Sequence, residues 1–124
     1  MPSAHATLAL PPPNYGGLDS EGAALDELVS RLVPALKPLR IILFGSRAEG
    51  RAEPQSDFDL LVVLDDDTPE ERADHDAVYA PVVGSGFGCD IIPCRWSDFQ
   101  EIMNDPTDPW RNTWGRGRTL YERR

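Results

Sequence analysis

Apolar residues recur at helical spacing between residues 25 and 36, where Leu25, Leu28, Val29, Leu32 and Leu36 form one stripe behind two capping candidates, Asp19 and Ser20. The pattern predicts a helix that starts near residue 19 or 20, with Pro34 and Pro38 marking its end. The period then shortens. Ile41 to Phe44 is an apolar run whose β-branched and aromatic content favours a strand, ended by Gly45. A polar stretch with Gly50 and Pro54 reads as a helical turn and a loop, and a second strand is predicted from about Asp57 to Leu64. Its period of two puts Phe58, Leu60, Val62 and Leu64 on one face and Asp57, Asp59, Leu61 and Val63 on the other.

Beyond this strand, Thr68, Pro69, Glu70 and Glu71 read as a Thr-capped helix start with Pro in the first turn, and the helix is predicted to last to about Tyr79. The acid run Asp65 to Asp67 then needs only a structural explanation, and His75 falls on a solvated side. Gly84 to Gly86 is a turn before a third strand, Phe87 to Pro93, which carries Asp90. A short helix follows from Trp96 or Ser97 to Met103, broken at Asp105 and Pro106. A turn at Asp108 and Pro109 presents Trp110 and Trp114 on one face as core or interface, and Gly115 to Tyr121 is a loop with a short edge strand. Residues 1–17, rich in Pro, Ala and Gly, are expected to form a flexible lead, and residues 18–124 a single domain. The element order predicts a small α/β (α+β) domain: a mixed sheet with helices mainly on one face, its first two strands antiparallel or sharply angled because their connection is too short for a crossover helix.

Composition narrows the function. A chain of 124 residues suits one domain with a genuine core. A formal charge of −9 argues against direct binding to a nucleic-acid backbone. No apolar run approaches the roughly 20 residues of a membrane helix, and the N-terminus lacks the build of a signal peptide, so a cytoplasmic location without a membrane is expected. Cys89 and Cys94 are five positions apart on one predicted strand, hence on opposite faces, which predicts free thiols.

The candidate chemistry lies in acids where a strand should be apolar. Asp57 and Asp59 share a face with α-carbons about 6.5 Å apart, close enough to converge on one ion or on two ions about 3.5–4 Å apart. Asp90, from a neighbouring strand, completes a candidate triad. Ligation by carboxylates alone favours Mg²⁺, with Mn²⁺ as a substitute, over zinc. Gly45 and Ser46 supply a close backbone approach, amides and a hydroxyl for phosphate oxygens, and Arg47, with Arg51 a weaker candidate, offers charge for a triphosphate tail. Neither a P-loop nor a dinucleotide fingerprint is present.

Strand, Phe44-Gly45-Ser46, a ten-residue connection, Asp57-Phe58-Asp59, and Asp90 on a later strand together resemble the nucleotidyltransferase superfamily typified by DNA polymerase beta. The stretch FGSRAEGRAEPQSDFDLLV is similar to the minimal nucleotidyltransferase (MNT) branch, as is the ending Trp114 to Glu122; the resemblance covers roughly residues 22 to 122. Glu49 stands where that branch usually carries a small or basic residue. The resemblance implies a nucleotidyltransferase fold and in-line attack of a hydroxyl on the α-phosphorus of a nucleoside triphosphate. Asp57, Asp59 and Asp90 would hold one or two Mg²⁺ ions, and Gly45, Ser46 and Arg47 the nucleotide. Because the chain ends close to the end of this core, the acceptor is expected on a separate protein. The branch implies a HEPN-domain toxin that receives AMP from ATP, with this chain as the antitoxin. Transfer to a small molecule such as an aminoglycoside, or a binding antitoxin without catalysis, are the competing expectations.

Overall fold

A computed structural model describes residues 11–124, so most of the predicted lead lies outside the described residues. The Ser20 hydroxyl accepts from the Ala23 N–H at 3.1 Å, and α1 runs Glu21–Leu36 with Ala24, Leu25, Leu28 and Leu32 buried. The helix passes through Pro34 rather than ending there, and stops at Lys37, whose left-handed φ of 49° brings its N–H to the Val33 carbonyl.

The sheet has the order β3-β2-β1-β4, from β1 (Arg40–Phe44), β2 (Phe58–Leu64), β3 (Cys89–Arg95) and β4 (Arg118–Glu122). β1 is antiparallel to both β2 and β4, while β2 and β3 are parallel, which makes the sheet mixed. The short connection after β1 permits only the antiparallel pairing, and the longer one after β2 holds the helices that a parallel crossover needs.

Both faces of β2 are buried, and its alternation sorts them as predicted. Phe58, Leu60, Val62 and Leu64 join α1, Val78, Val82 and Phe87, whereas Leu61 and Val63 join Ile42, Phe44, Phe99 and Trp114. Among the described residues, α1, α2 (Glu70–Ala73) and α3 (His75–Tyr79) serve the first face, and α4 (Trp96–Met103) and α5 (Pro109–Gly115) the second. Cys89 packs toward the first cluster and Cys94 toward the second, and both are free thiols.

Further local expectations change, beginning with β2, which starts at Phe58 and leaves Asp57 just ahead of it. The helix predicted over residues 70–79 splits in two, because the Asp74 side chain accepts from the Ala77 N–H at 2.8 Å and its own backbone is extended, so it ends α2 and caps α3. Pro69 rather than Thr68 occupies the cap position of α2, without a side-chain bond. β3 starts two residues later than predicted because Phe87 belongs to the preceding turn, its N–H on the Ser85 hydroxyl and its ring edge-on to Phe58 at 6.4 Å. The turn expected at Asp108 is the capped start of α5, and Trp110 and Trp114 stack within it at 5.1 Å. Trp114 is core, while Trp110 remains 40% exposed. No helix among the described residues is long and apolar enough to cross a membrane.

Candidate active site

The sheet order brings the three acids to one end. β2 lies between β1 and β3, so the turn that ends β1 and the start of β3 flank the start of β2. Asp59 pairs in register with Phe44 on one side and with Asp90 on the other. Asp57 and Asp59 share the face of Leu61 and Val63, and residues paired across neighbouring strands point the same way, so all three carboxylates face the α4 and α5 side.

Two glycines allow this crowding. Gly45 has φ +74°, and a Cβ there would sit 2.5 Å from Asp59 Oδ2, so only glycine lets the turn press against the carboxylate. A Cβ on Gly88 would fall on Asp57 Oδ1. Ser46 follows Gly45 inside the 3₁₀ turn Gly45–Arg47, half-buried beside the acids, and its carbonyl accepts from the Arg51 N–H at 2.9 Å.

Asp57 and Asp90 are exposed and Asp59 is half-buried. Burial first, and then the charges of Asp90 and Asp57, raise the Asp59 carboxyl above the ordinary aspartate range. The Cys89 thiol is pushed up to about 11 by burial and then by Asp57 and Asp90. Cys89 pairs with Phe58 and packs on the opposite face of the sheet, so the donors on the acids' face are oxygen alone. Crowded, mutually repelling carboxylates without a nitrogen or thiolate partner fit a hard divalent cation. Among the described residues no three His, Cys, Asp or Glu side chains are already closed into a metal cage.

The raised Asp59 pKa has a stability consequence. The folded protein holds this proton more tightly than the unfolded chain, so the group's contribution is fully present below the unfolded pKa and is lost as pH rises through the raised native value. Asp59→Asn should therefore melt higher than wild type in metal-free neutral buffer, with the gap narrowing on acidification. Melting curves between about pH 4 and 8 check this, and a variant that melts lower at neutral pH would contradict it.

Arg47 is not delivered to the acids. Its side chain is 2% exposed and pairs with Glu21 at 2.9 Å. Nε and Nη2 donate to the Ser56 carbonyl at 3.0 and 2.6 Å, and Nη2 also to the Pro54 carbonyl at 2.8 Å. The guanidinium lies 4.2 Å from the Phe58 ring centre. Its donors are committed to Glu21 and to the loop that leads into β2. Arg51 is exposed beside Glu49 at 3.4 Å, and Arg116 reaches the same carboxylate at 3.2 Å. Glu49 thus sits between two arginines.

Two neighbours of this end carry no sequence signal. Asn14, assigned to the flexible lead, bonds to Ser56 and Gly88. Trp110 places its ring edge-on to Phe44, the residue before Gly45, at 6.0 Å. Helical spacing relates Trp110 to Trp114 but says nothing about Phe44.

Compared with known proteins, residues 24–104, well over half of the chain, match the family model described as nucleotidyltransferase domain. No curated protein and no solved structure matches the chain.

Proposed function

The chain belongs to the nucleotidyltransferase domain family, and from that premise we propose that it moves a nucleoside monophosphate, AMP from ATP, onto a hydroxyl of a partner protein with Mg²⁺ as cofactor. The observation that carries this reading is Asp90 in register with Asp59, beside a glycine turn that touches the same carboxylate. Asp57, Asp59 and Asp90 are the residues that would hold the ion. When bound, Mg²⁺ neutralises charge on the triphosphate and on the departing pyrophosphate.

The chain's own groups supply the rest. The turn at Gly45 and the Ser46 hydroxyl receive phosphate oxygens next to Asp59. An acceptor oxygen forms a bond to the α-phosphorus as the bond to the bridging oxygen of pyrophosphate breaks. The acceptor proton passes to the exposed Asp90 carboxylate. Because Asp57 and Asp90 lie at the surface, the acceptor is able to approach as part of another folded protein. The sequence resemblance favours a HEPN-domain toxin in that place, with this chain acting as the antitoxin.

The test is intact mass. The protein is incubated with Mg²⁺, each nucleoside triphosphate in turn and a candidate HEPN-domain partner. One adenylyl group added to the partner, dependent on ATP and Mg²⁺, is the expected result. A tight complex with no adduct under any condition would instead make the chain a binding antitoxin.

A further inference from the structure

The stretch expected to be a free lead reaches the acid cluster through one side chain. Asn14 Nδ2 donates to the Ser56 carbonyl at 3.0 Å and to the Gly88 carbonyl at 2.7 Å, and Oδ1 accepts from the Gly88 N–H at 2.6 Å. The Asn14 backbone N–H donates to the Pro54 carbonyl at 2.9 Å. Ser56 immediately precedes Asp57, and Gly88 stands two residues before Asp90. The amide thus spans the starts of β2 and β3 where no strand pairing has yet begun, just outside the first backbone link, Phe58 N–H to the Gly88 carbonyl at 3.0 Å. The Ser56 carbonyl also accepts from Arg47 on its other side. Tyr15 packs against the core, with the Arg47 guanidinium 5.5 Å from its ring centre, and so holds this end of the lead in place.

An amide suits this position for a chemical reason. It provides two donors for two carbonyls and one acceptor for one N–H. A carboxylate there would lose both donations and add charge beside three acids.

We propose that Asn14 is a positioning residue for the acid cluster: by tying Ser56 to Gly88 it sets the separation of Asp57 from Asp90, and with it the affinity of the cluster for a divalent cation. The proposal rests on the metal reading given above. Asn14 touches no reacting atom and acts only through the two strand starts. Partners that hydrogen-bond metal ligands directly typically change metal affinity about 10- to 100-fold when removed, and Asn14, bonded to the backbone beside the ligands, is expected at the low end of that range.

Mn²⁺ binding to the full chain without nucleotide, followed through the free-ion paramagnetic signal, tests the idea. Asn14→Ala should raise the Mn²⁺ dissociation constant about 10-fold, and Asn14→Ser, which is too short to bridge both strands, should do the same if the alanine variant fails to fold. Val33→Ala, which trims a half-buried core contact on α1 away from the acids, is the control for lost stability: it should melt lower yet bind Mn²⁺ as wild type does. Folded Asn14 variants with wild-type affinity would overturn the proposal, as would Val33→Ala weakening Mn²⁺ equally. Wild-type protein that binds no Mn²⁺ would overturn the metal reading and this proposal with it.

Discussion

Asp59→Asn is expected to lower nucleotide transfer by about 1,000-fold or more, roughly 4 kcal/mol of transition-state stabilisation. Asp59 is the central acid of the site. It pairs with Asp90 across the parallel ladder, with Phe44 across the antiparallel one, and its Oδ2 lies against Gly45. Exchanging a carboxylate for an amide of the same shape removes the negative charge and one oxygen ligand while leaving the packing alone. The readout is pyrophosphate release together with the mass of the acceptor. Because the same change relieves repulsion among the acids, the variant should be at least as stable as wild type in metal-free buffer. A loss of activity accompanied by higher melting separates damaged chemistry from damaged folding. Transfer at wild-type rate by Asp59→Asn would end the proposed mechanism.

Arg47→Ala should cost about 3 kcal/mol of folding stability, or about 10 °C in melting temperature for a domain of this size. The residue is 6% exposed, and its truncation strips partners from the Pro54 and Ser56 carbonyls and from Glu21. A buried group left without its hydrogen bonds carries its full desolvation cost. Arg47→Lys should recover only part of the loss, because a single ammonium cannot match the planar fork that meets two carbonyls and a carboxylate together. Urea and thermal unfolding measure both variants. A raised KM for the triphosphate with unchanged stability would restore the phosphate role that the sequence pattern favours and the packing argues against.

These two residues show how far the chain is legible. Asp59 announces itself because a carboxylate near the start of an apolar strand is costly unless something compensates it, and its spacing from Asp57 places both on one face. Arg47 follows Gly45 and Ser46 directly, and neighbourhood in sequence pointed it toward the same ligand. Its real partners are Glu21, Pro54 and Ser56, which only the folded chain brings around it. Asn14 is the harder case: a polar residue between Pro13 and Tyr15 has no periodic or motif signal, and its partners lie 42 and 74 positions away. The split of the helix at Asp74 is intermediate, since Asp is a good cap but nothing local says which Asp will cap.

The sequence by itself determined what depends on period and on the cost of burying charge. That includes the two faces of β2, a cap at Asp19 or Ser20, a first strand pair either antiparallel or sharply angled, and three carboxylates in or beside strands that would otherwise be apolar. Tertiary structure decided what depends on which strand starts and loops meet. It set the order β3-β2-β1-β4, drew Asp90 beside Asp59, turned Arg47 inward, and brought Asn14 across the gap. The physical reason is range: propensity, capping and alternation act within a few residues, whereas a hydrogen bond or a charge pair is blind to chain distance and forms wherever packing leaves its partners within reach.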